Sequence, residues 1–555
     1  MGLKWRLLTR ILSAEGGSAR AANKTERSIE EVLRLSRQSK LPSVIYIRLR
    51  GSTRYMVILV LMLGQLLLLR LNPLPTRSTD GQTLADQART LPAEFRADTL
   101  LRIARSPLTT QAAHKEKLIE EAYWSGSHAY LPYMQRADGR SDSIATNAVR
   151  ANRLEALTLQ SRAVQAMLPL NSKEALHLFE QITPIDLPKL TCSTVTTPDV
   201  IDYYQTAVLV FENSFTTQQR TQGEDVTLLR ALISSVEAPA EVPPALEMIF
   251  AVKITPAQRH DLLSALGAQL NEIFRSDREY GAAEMLLVSA MSSVRLQIAD
   301  ADLLLPSLRS YIVRHASGHR CTDNMPIAGK LTKSAEQFNS LVDQLDPSQA
   351  RYKKVSAEEA KATGDDGTFH RSLIGNSPES QAVEDAMRWL VHGERVRNGQ
   401  AIPWTLEERS SQDWLSHYDD AAKLVHNLSE GDLESKEAFF CVKSDALNLL
   451  ATLVPPGPTR ERAMDQYLEF LESYYASIQN PNLWFTSFRH MLYTARFSED
   501  PKAKAWILSA LANSSNPIIA LYARLETRIG PPSETYPPAH VKAAQERKTS
   551  TPRRQ

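Results

Sequence analysis

The stretch "NRLEALTLQSRAVQAMLPLNSKEALHLFEQI", residues 152–182, decides the architecture that this sequence predicts. Its first half repeats small and apolar residues at alternating spacings of three and four, which form one stripe of an α-helix. The stripe consists of Leu154, Leu157, Ser161, Val164 and Leu168. Asn171 and Glu174 then resemble a capping box that begins a second helix. Two amphipathic helices joined by a short turn form a helical hairpin.

The same rhythm recurs along most of the chain. Further helices are predicted over residues 200–215, 227–236, 259–274, 282–298 and 303–314. Near the C-terminus Thr459 is a candidate cap, and Pro501 suits the first turn of a helix. Glycine is scarce, with 21 in 555 residues, against an average usage of about 7%. We predict an all-α fold, an α-solenoid-like array of antiparallel helical hairpins without a clear repeat consensus.

An apolar segment precedes this body at residues 55–71, beginning with Tyr55 and ending with Leu71. Its first fifteen residues carry no charge, and the 54 residues before it hold twelve Lys or Arg against four Glu. An excess of basic residues keeps its side of a membrane protein in the cytoplasm, so a span here leaves the body outside.

The segment is short for a span, since fifteen residues of helix cover roughly 22 Å of a ~30 Å hydrocarbon core. Flanking arginines can snorkel, so an uncleaved signal anchor remains possible. A cleaved signal peptide and a buried helix are the alternatives. The sequence favours the anchor.

Composition limits the classes of function. The chain is 43% hydrophobic and 23% charged with a net charge of +1, which is typical of a folded protein and predicts no attraction to nucleic acid. The sequence predicts seven segments. They are a basic cytoplasmic segment or start-site artefact (1–54), a signal anchor or signal peptide (55–72), a linker (73–83), a helical domain (84–345), a polar linker or loop (346–380), a helical-hairpin domain (381–530) and a disordered tail (531–555).

Few residues point to chemistry, because the common nucleotide-binding, metalloprotease and hydrolase motifs are absent from the sequence. His315, His319 and Cys321 are weak candidates for a metal site, since an i, i+4 histidine pair and a thiolate suit zinc. Gly318 interrupts that turn, so the favoured interpretation is a solvated helix end and no metal or cofactor.

Two acidic groups and one aromatic group are further candidate sites. Solvated faces, helix caps and core packing are the favoured interpretations of all three groups. The groups are Asp300 with Asp302; His417 with Asp419 and Asp420; and Trp484, Phe485, Phe488 and Tyr493.

Three cysteines allow one disulfide if the body is exported. Cys192 and Cys321 each follow a predicted helix in a polar loop, so we predict that they form a disulfide. In the chain-entropy model so long a loop adds up to ~4–5 kcal/mol of stability. Cys441 lies inside an apolar helix and is predicted to stay reduced and buried.

Two functions agree with these patterns. The first is a scaffold that binds a protein or peptide outside the cytoplasm, held by a single pass through the inner membrane. The alternative is an envelope enzyme on the same helices, a glycan hydrolase or lyase that uses carboxylates. The absence of catalytic motifs from the sequence favours the scaffold, which is not an enzyme.

Overall fold

The computed structural model describes residues 77–530 with internal gaps. The gaps are residues 130–134, 137–151, 183–184, 186, 188, 190–195, 198, 275–276, 317–330, 349, 361–376, 394–395, 398–399, 434–435, 479–480 and 498–500. The predicted basic segment, apolar segment and C-terminal tail lie outside the described residues. The described helices belong to one compact unit that begins at Thr76.

Helices dominate this unit, so the prediction of an all-α fold is confirmed. The first ten are α1 (Arg77–Arg89), α2 (Ala93–Arg105), α3 (Ala112–Gly126), α4 (Ala156–Met167), α5 (Ser172–Glu180), α6 (Ile201–Asn213), α7 (Thr217–Gln222), α8 (Glu224–Ser234), α9 (Val242–Ala251) and α10 (Pro256–Glu272). They continue with α11 (Asp277–Ser293), α12 (Ile298–Ala316), α13 (Lys333–Leu345), α14 (Pro378–His392), α15 (Gln412–Asn427), α16 (Lys436–Leu453), α17 (Pro458–Tyr474), α18 (Pro481–Phe497), α19 (Pro501–Ala512) and α20 (Pro517–Ile529).

Short elements complete the description. Single 3-10 turns occupy Pro239–Glu241, Glu408–Ser410 and Glu430–Asp432. Strands β1 (Gln135–Arg136) and β2 (Thr196–Thr197) pair antiparallel, as do β3 (Val396–Arg397) and β4 (Gln400–Ala401). Among the helices that the structure describes, none combines the length and the apolar composition that crossing a membrane requires.

Local sequence signals locate most helix starts. The Asn171 side chain accepts a hydrogen bond from the backbone N–H of Glu174 at 3.1 Å, which confirms the predicted cap of α5. Pro501 begins α19, as predicted. The predicted cap at Thr459 is wrong, because α17 begins one residue earlier at Pro458. Helix α1 begins at Arg77, before Leu84, where the body was predicted to start.

Three helices combine a polar cap with a proline. Thr255, Ser377 and Asn516 each accept a backbone hydrogen bond from the first turn of α10, α14 and α20. The next residue is proline, whose missing N–H costs nothing at that position and whose fixed φ suits a helix. These caps satisfy backbone donors that have no partner within the first turn of a helix.

Each helix of the first half packs against near neighbours in sequence. Helix α2 contacts α3 and α4, α4 contacts α5 and α6, and α6 contacts α9. The series continues from α9 to α11 and from α11 to α13, while α8, α10 and α12 form a second series. Apolar side chains between these helices form one continuous core.

The second half follows the same rule and then returns to the start of the body. Helix α14 contacts α15 and α16, α16 contacts α17 and α18, and α18 contacts α19, which contacts α20. Helix α20 packs against α1 and α2. Phe95 of α2 is fully buried, with its ring 5.0 Å from Phe485 of α18 and 6.4 Å from Tyr522 of α20. Edge and tilted contacts of this kind stabilise beyond the area they bury.

The polar stretch after α13 packs against the body as far as residue 360. Tyr352 and Val355 are buried in it. Asn339 of α13 exchanges two hydrogen bonds with the backbone of Val355, at 2.8 and 2.9 Å. Arg309 of α12 donates to a carboxylate oxygen of Glu359 at 2.6 Å. The predicted division into two domains with this stretch between them stays a prediction.

A hairpin between α14 and α15 carries a tryptophan back onto α14. In the sequence, Asn398 and Gly399 stand between β3 and β4, the pair that two-residue hairpin turns prefer. Gly393 has φ +59°, in the left-handed region, and a Cβ added there would lie 2.6 Å from Cζ2 of Trp404. Only glycine therefore allows the tryptophan to approach so closely.

Replacing Gly393 by alanine should lower the free energy of unfolding by roughly 2–4 kcal/mol, from left-handed strain plus overlap with Trp404. The matched control is Gly223→Ala, where φ is +76° but no atom lies within 4 Å of the added Cβ. The control should lose only about 1–2 kcal/mol. Urea unfolding measures both variants, and equal losses would contradict the close approach of Trp404.

Candidate functional site

His315, from the predicted metal candidates, lies inside the protein. It is 2% exposed in the last turn of α12, and its ring lies 4.9 Å from Tyr280 and 4.7 Å from Tyr311. The predicted solvated helix end is therefore wrong for this residue, because Tyr280 from α11 covers it. His319 and Cys321 lie outside the described residues. No group of three or more potential metal ligands occurs in the described part of the chain.

The structure describes one of the three cysteines, Cys441. Cys192 and Cys321 both lie outside the described residues, so their disulfide stays a prediction. Cys441 lies in α16 and is 8% exposed. The predicted burial of Cys441 is confirmed.

The acidic residues among the candidate sites differ in their exposure to solvent. Asp300 is 1% exposed and lies 3.2 Å from Nε2 of His260, so it is not on a solvated face. Asp302 is partly exposed and accepts a hydrogen bond from the Tyr352 hydroxyl at 2.7 Å. Asp419 and Asp420 of α15 are exposed to solvent, as predicted.

The predicted aromatic group belongs to the core. Trp484, Phe485 and Phe488 are buried in α18, while Tyr493 is half-buried. The indole of Trp484 donates to the carbonyl oxygen of Leu471 at 2.8 Å. The interpretation of this group as core is confirmed for its three buried members.

A buried polar cluster, which the sequence did not predict, joins α2 and α4 to α18 and α20. This closure cluster consists of Asp98, Arg102, Arg162, Arg489, Arg496, Tyr522 and Glu526. Asp98 accepts hydrogen bonds at 2.7 Å from both Arg162 and the Tyr522 hydroxyl. Arg496 donates to both oxygens of Glu526, at 3.0 and 3.3 Å.

The electrostatics of the cluster favour the charged form of Asp98. Burial alone raises the pKa of Asp98, but the guanidiniums of Arg162 and Arg102 outweigh it, so the pKa lies below its usual value. Burial lowers the pKa of Arg489, and burial together with the charge of Arg489 lowers the pKa of His490. The cluster is therefore an ion-pair network in a region of positive potential.

The turn before α4 contacts α18 of this cluster and one further helix, α6. Arg153 has φ 54°, which is uncommon for a residue other than glycine. Next to it, the Asn152 amide donates to the Thr486 hydroxyl at 2.8 Å and accepts from Arg489 at 3.1 Å. Arg153 itself donates to Asp202 of α6 at 2.7 Å. The left-handed residue lets adjacent side chains reach α18 and α6.

Glu155 directly precedes α4 beside these contacts and is 3% exposed. Burial, with the nearby charges of Asp199 and Asp202, raises the pKa of Glu155 to about 7. Burial also raises the pKa of Asp445 to about 6. These two carboxyls therefore keep their protons to a higher pH in the folded protein than exposed carboxyls do.

The second unpredicted feature is an aromatic surface around the hairpin. This tryptophan surface consists of Trp389, Trp404 and His417. The rings of Trp389 and His417 stack at 3.6 Å and 12°, and the ring of Trp404 lies 5.5 Å from that of Trp389. The Trp404 indole donates to the Trp389 carbonyl at 2.9 Å. Both tryptophans are half-buried and His417 is exposed.

An exposed leucine lies next to the tryptophan surface in sequence. Leu406, two residues after Trp404, is 59% exposed. Exposed apolar and aromatic side chains in one place are characteristic of surfaces that contact another molecule. Chemically, the surface can stack on planar or apolar groups.

Signals for both features were present in the sequence. Asp98 and Arg102 stand four residues apart in α2, so they share one face of that helix. Tyr522 and Glu526 repeat that spacing in α20. The Asn398–Gly399 pair marked the hairpin that brings Trp404 to α14.

Comparison with known proteins adds no assignment. No protein-family model matches this chain. No curated protein resembles it significantly in sequence.

The folded-state pKa of Glu155 is raised to about 7, so the folded protein holds this proton more tightly than the unfolded chain does. The stability that Glu155 contributes is therefore complete below about pH 4.5 and is lost as the pH rises to about 7. We expect Glu155→Gln to be more stable than the natural protein at pH 8 by up to ~3 kcal/mol, and nearly equal to it near pH 4.5. Urea unfolding at both pH values measures this difference. Asp445→Asn is the control, because its effect should be complete by about pH 6. A constant difference across the range would contradict the neutral form of Glu155.

Proposed function

We propose that this protein is a membrane-anchored helical scaffold that binds a protein or peptide partner outside the cytoplasm. The observation that carries the proposal is the tryptophan surface, whose partly exposed aromatic rings contact one another and are followed, two residues after Trp404, by exposed Leu406. Tryptophan is enriched among the residues that contribute most to protein–protein affinity. Trp389 is already stacked on His417, and the Trp404 indole is held by its hydrogen bond to the Trp389 carbonyl, so binding costs these rings little conformational entropy.

The interior of the body supports the same proposal. The charged groups of the closure cluster face one another across helices, which holds a long helical body together. Helices that contact their near neighbours along the chain are characteristic of helical-hairpin arrays that present extended binding surfaces. We therefore propose that the body is an α-solenoid-like array of antiparallel hairpins.

Anchoring is proposed from the sequence. The uncharged run that begins at Tyr55 and the +8 charge of residues 1–54 support a single pass through the inner membrane with the body outside. A periplasmic or extracellular location follows from that orientation. The glycan hydrolase or lyase alternative stays a prediction from the sequence.

Reporter fusions test the orientation. Alkaline phosphatase fused after Arg89, the last residue of α1, should be active in a bacterial host, because that enzyme matures outside the cytoplasm. A reporter that functions only in the cytoplasm, fused at the same residue, should be silent. An active cytoplasmic reporter with silent phosphatase would refute the proposed topology.

Site-specific crosslinking tests the binding surface. A photoreactive residue at Leu406 should form adducts with a discrete partner in intact cells, whereas one at Met285 of α11, which is 63% exposed, should not. Trp404→Ala should weaken binding about 30-fold, since a dominant interface residue contributes about 2 kcal/mol. Leu406 adducts should decrease accordingly.

Trp124→Ala is the matched control, because Trp124 is 51% exposed in α3, outside the tryptophan surface. Adduct yield at Leu406 should be unchanged in that variant. Thermal unfolding of each variant separates loss of binding from loss of folding. The same adducts at Leu406 and Met285, or an equal effect of the two alanine variants, would count against the tryptophan surface.

A further inference from the structure

Acidic side chains outnumber basic ones around the tryptophan surface. Residues 377–427, which contain all three of its rings, hold nine Asp or Glu against five Lys or Arg. The described bases among them already have partners: Arg388 pairs with Glu384 and Asp385, Lys423 pairs with Asp420, and Arg409 donates to the carbonyl oxygen of Leu453. The region that carries the tryptophan surface therefore has a net negative charge.

Two exposed carboxylates lie next to the rings, one in sequence and one in space. Glu407 follows in the turn between β4 and α15, and its side chain has no ion pair or hydrogen bond in the described part of the chain. The Asp413 side chain is 78% exposed and lies 3.8 Å from the His417 imidazole. Two bases of neighbouring helices are engaged elsewhere, since Lys443 donates to backbone carbonyls and Arg462 to a hydroxyl. A basic segment can therefore pair with both carboxylates.

Residues 531–555, the tail, have a sequence that complements this surface. "PPSETYPPAHVKAAQERKTSTPRRQ" holds five prolines and five Lys or Arg against two Glu. Its two Pro-Pro pairs stand six residues apart, so they share one side of a polyproline II helix, which has three residues per turn. Such helices dock on surfaces lined by aromatic rings. Residues 1–54 are also basic but contain a single proline, Pro42, so composition selects the tail.

The turn that carries Leu406 lies at the edge where α16 and α18 end. Arg409 of this turn donates to the carbonyl oxygen of Leu453, the last residue of α16, at 3.2 Å. Helix α17 begins after four intervening residues, and near its far end the carbonyl oxygen of Leu471 accepts from the Trp484 indole at the start of α18. Helix α18 therefore returns toward the edge where α16 ends.

Helix α20, which precedes the tail, ends at the same edge. Arg496 stands one residue before the end of α18 and donates to Glu526, three residues before the end of α20. Three steps between neighbouring helices, of 8–10 Å each, separate α20 from α14, so the tail begins roughly 24–30 Å from the tryptophan surface. Eight residues of polyproline II span roughly 25 Å. The second Pro-Pro pair, Pro537 and Pro538, can therefore reach the rings.

We infer that the tail of this chain docks on its own tryptophan surface. Residues 531–538 run along the ends of α18 and α16 as a polyproline II helix and place Pro537 and Pro538 against the rings of Trp389 and Trp404. The basic residues that follow, from Lys542 onward, pair with Glu407 and Asp413. Proline rings and indoles share apolar contact, and the charges fix the position of the segment.

Docking of this kind makes the tail a competitor of any external partner. A segment attached to the same chain acts at an effective concentration in the mM range. A partner must displace the tail, so its apparent affinity falls in proportion to the fraction of molecules whose surface is open. This consequence rests on the proposed function, whereas the docking itself does not.

Photocrosslinking of the purified full-length protein tests the docking without any partner present. A photoreactive residue at Leu406 should form adducts with peptides from residues 531–555, and one at Met285, which is 63% exposed on α11, should not. The yield should stay constant over a 100-fold dilution, because the contact is within one chain. Absence of tail peptides at Leu406, or adducts that join two copies and disappear on dilution, would overturn the inference. Partner adducts in cells without tail adducts in the purified protein would overturn this inference alone.

Replacing all four prolines of residues 531–538 by alanine should lower the tail adduct at Leu406 at least about tenfold. These positions lie outside the described body, so its helices keep their contacts. Pro552→Ala is the control and should leave the yield unchanged. An equal yield in the two variants would show that the Pro-Pro pairs do not dock.

A second pair of variants tests the charges. Glu407→Gln should lower the yield about threefold in 50 mM salt and hardly at all in 500 mM salt, where surface charges are screened. Glu379→Gln is the matched control, because Glu379 is an exposed acid in the first turn of α14, far along that helix from Trp389. The same result for both variants would contradict pairing of the tail with Glu407.

Discussion

The carboxylate of Asp98 is buried between the guanidinium of Arg162 and the hydroxyl of Tyr522, so it stays paired only while α4 and α20 both lie against α2. A buried charge that loses one partner destabilises a protein by about 3–5 kcal/mol. Glu526 imposes the same requirement from the other side, because its partners Arg102 and Arg496 belong to α2 and α18. These four helices therefore have few alternative arrangements, and the core around Phe95 is completed by the same contacts.

The closure cluster and the tryptophan surface have different physical roles. The polar groups of the closure cluster are desolvated and hydrogen-bonded across helices, which makes them a source of specificity in packing. The tryptophan surface is the reverse, since its aromatic rings remain partly in contact with water after the chain has folded. A body with one continuous apolar core can tolerate such a partly exposed aromatic surface, because folding does not depend on covering it.

Local patterns in the sequence predicted the helices well and the contacts between them poorly. The stripe from Leu154 to Leu168 and the cap at Asn171 depend on residues within one or two turns, and the structure contains both. The burial of His315 depends on Tyr280 from another helix, so the periodicity of α12 alone could not reveal it. Thr459 was misjudged because Pro458 can occupy a first helical position without a polar cap before it.

The candidate surfaces were missed for a related reason. Trp389 and Trp404 meet because Gly393 adopts a left-handed conformation and a hairpin follows it, and a search for helical periodicity passes over both signals. Asp98 and Tyr522 are 424 residues apart in the chain, and neither sequence neighbourhood indicates the other. Periodic patterning specifies which face of a helix is buried, but not which distant helix buries it.

The distance in sequence between Asp98 and Tyr522 also determines when α2 can complete its packing during synthesis. At about 5–20 residues per second, the 424 residues between Asp98 and Tyr522 take about 20–80 s to be made. During this interval Phe95 and Asp98 lack their partners from α18 and α20, while the later helices can already pack on their own neighbours. The helices that leave the ribosome first are therefore among the last to complete their packing, and until then α2 presents an apolar, charged face to chaperones and proteases.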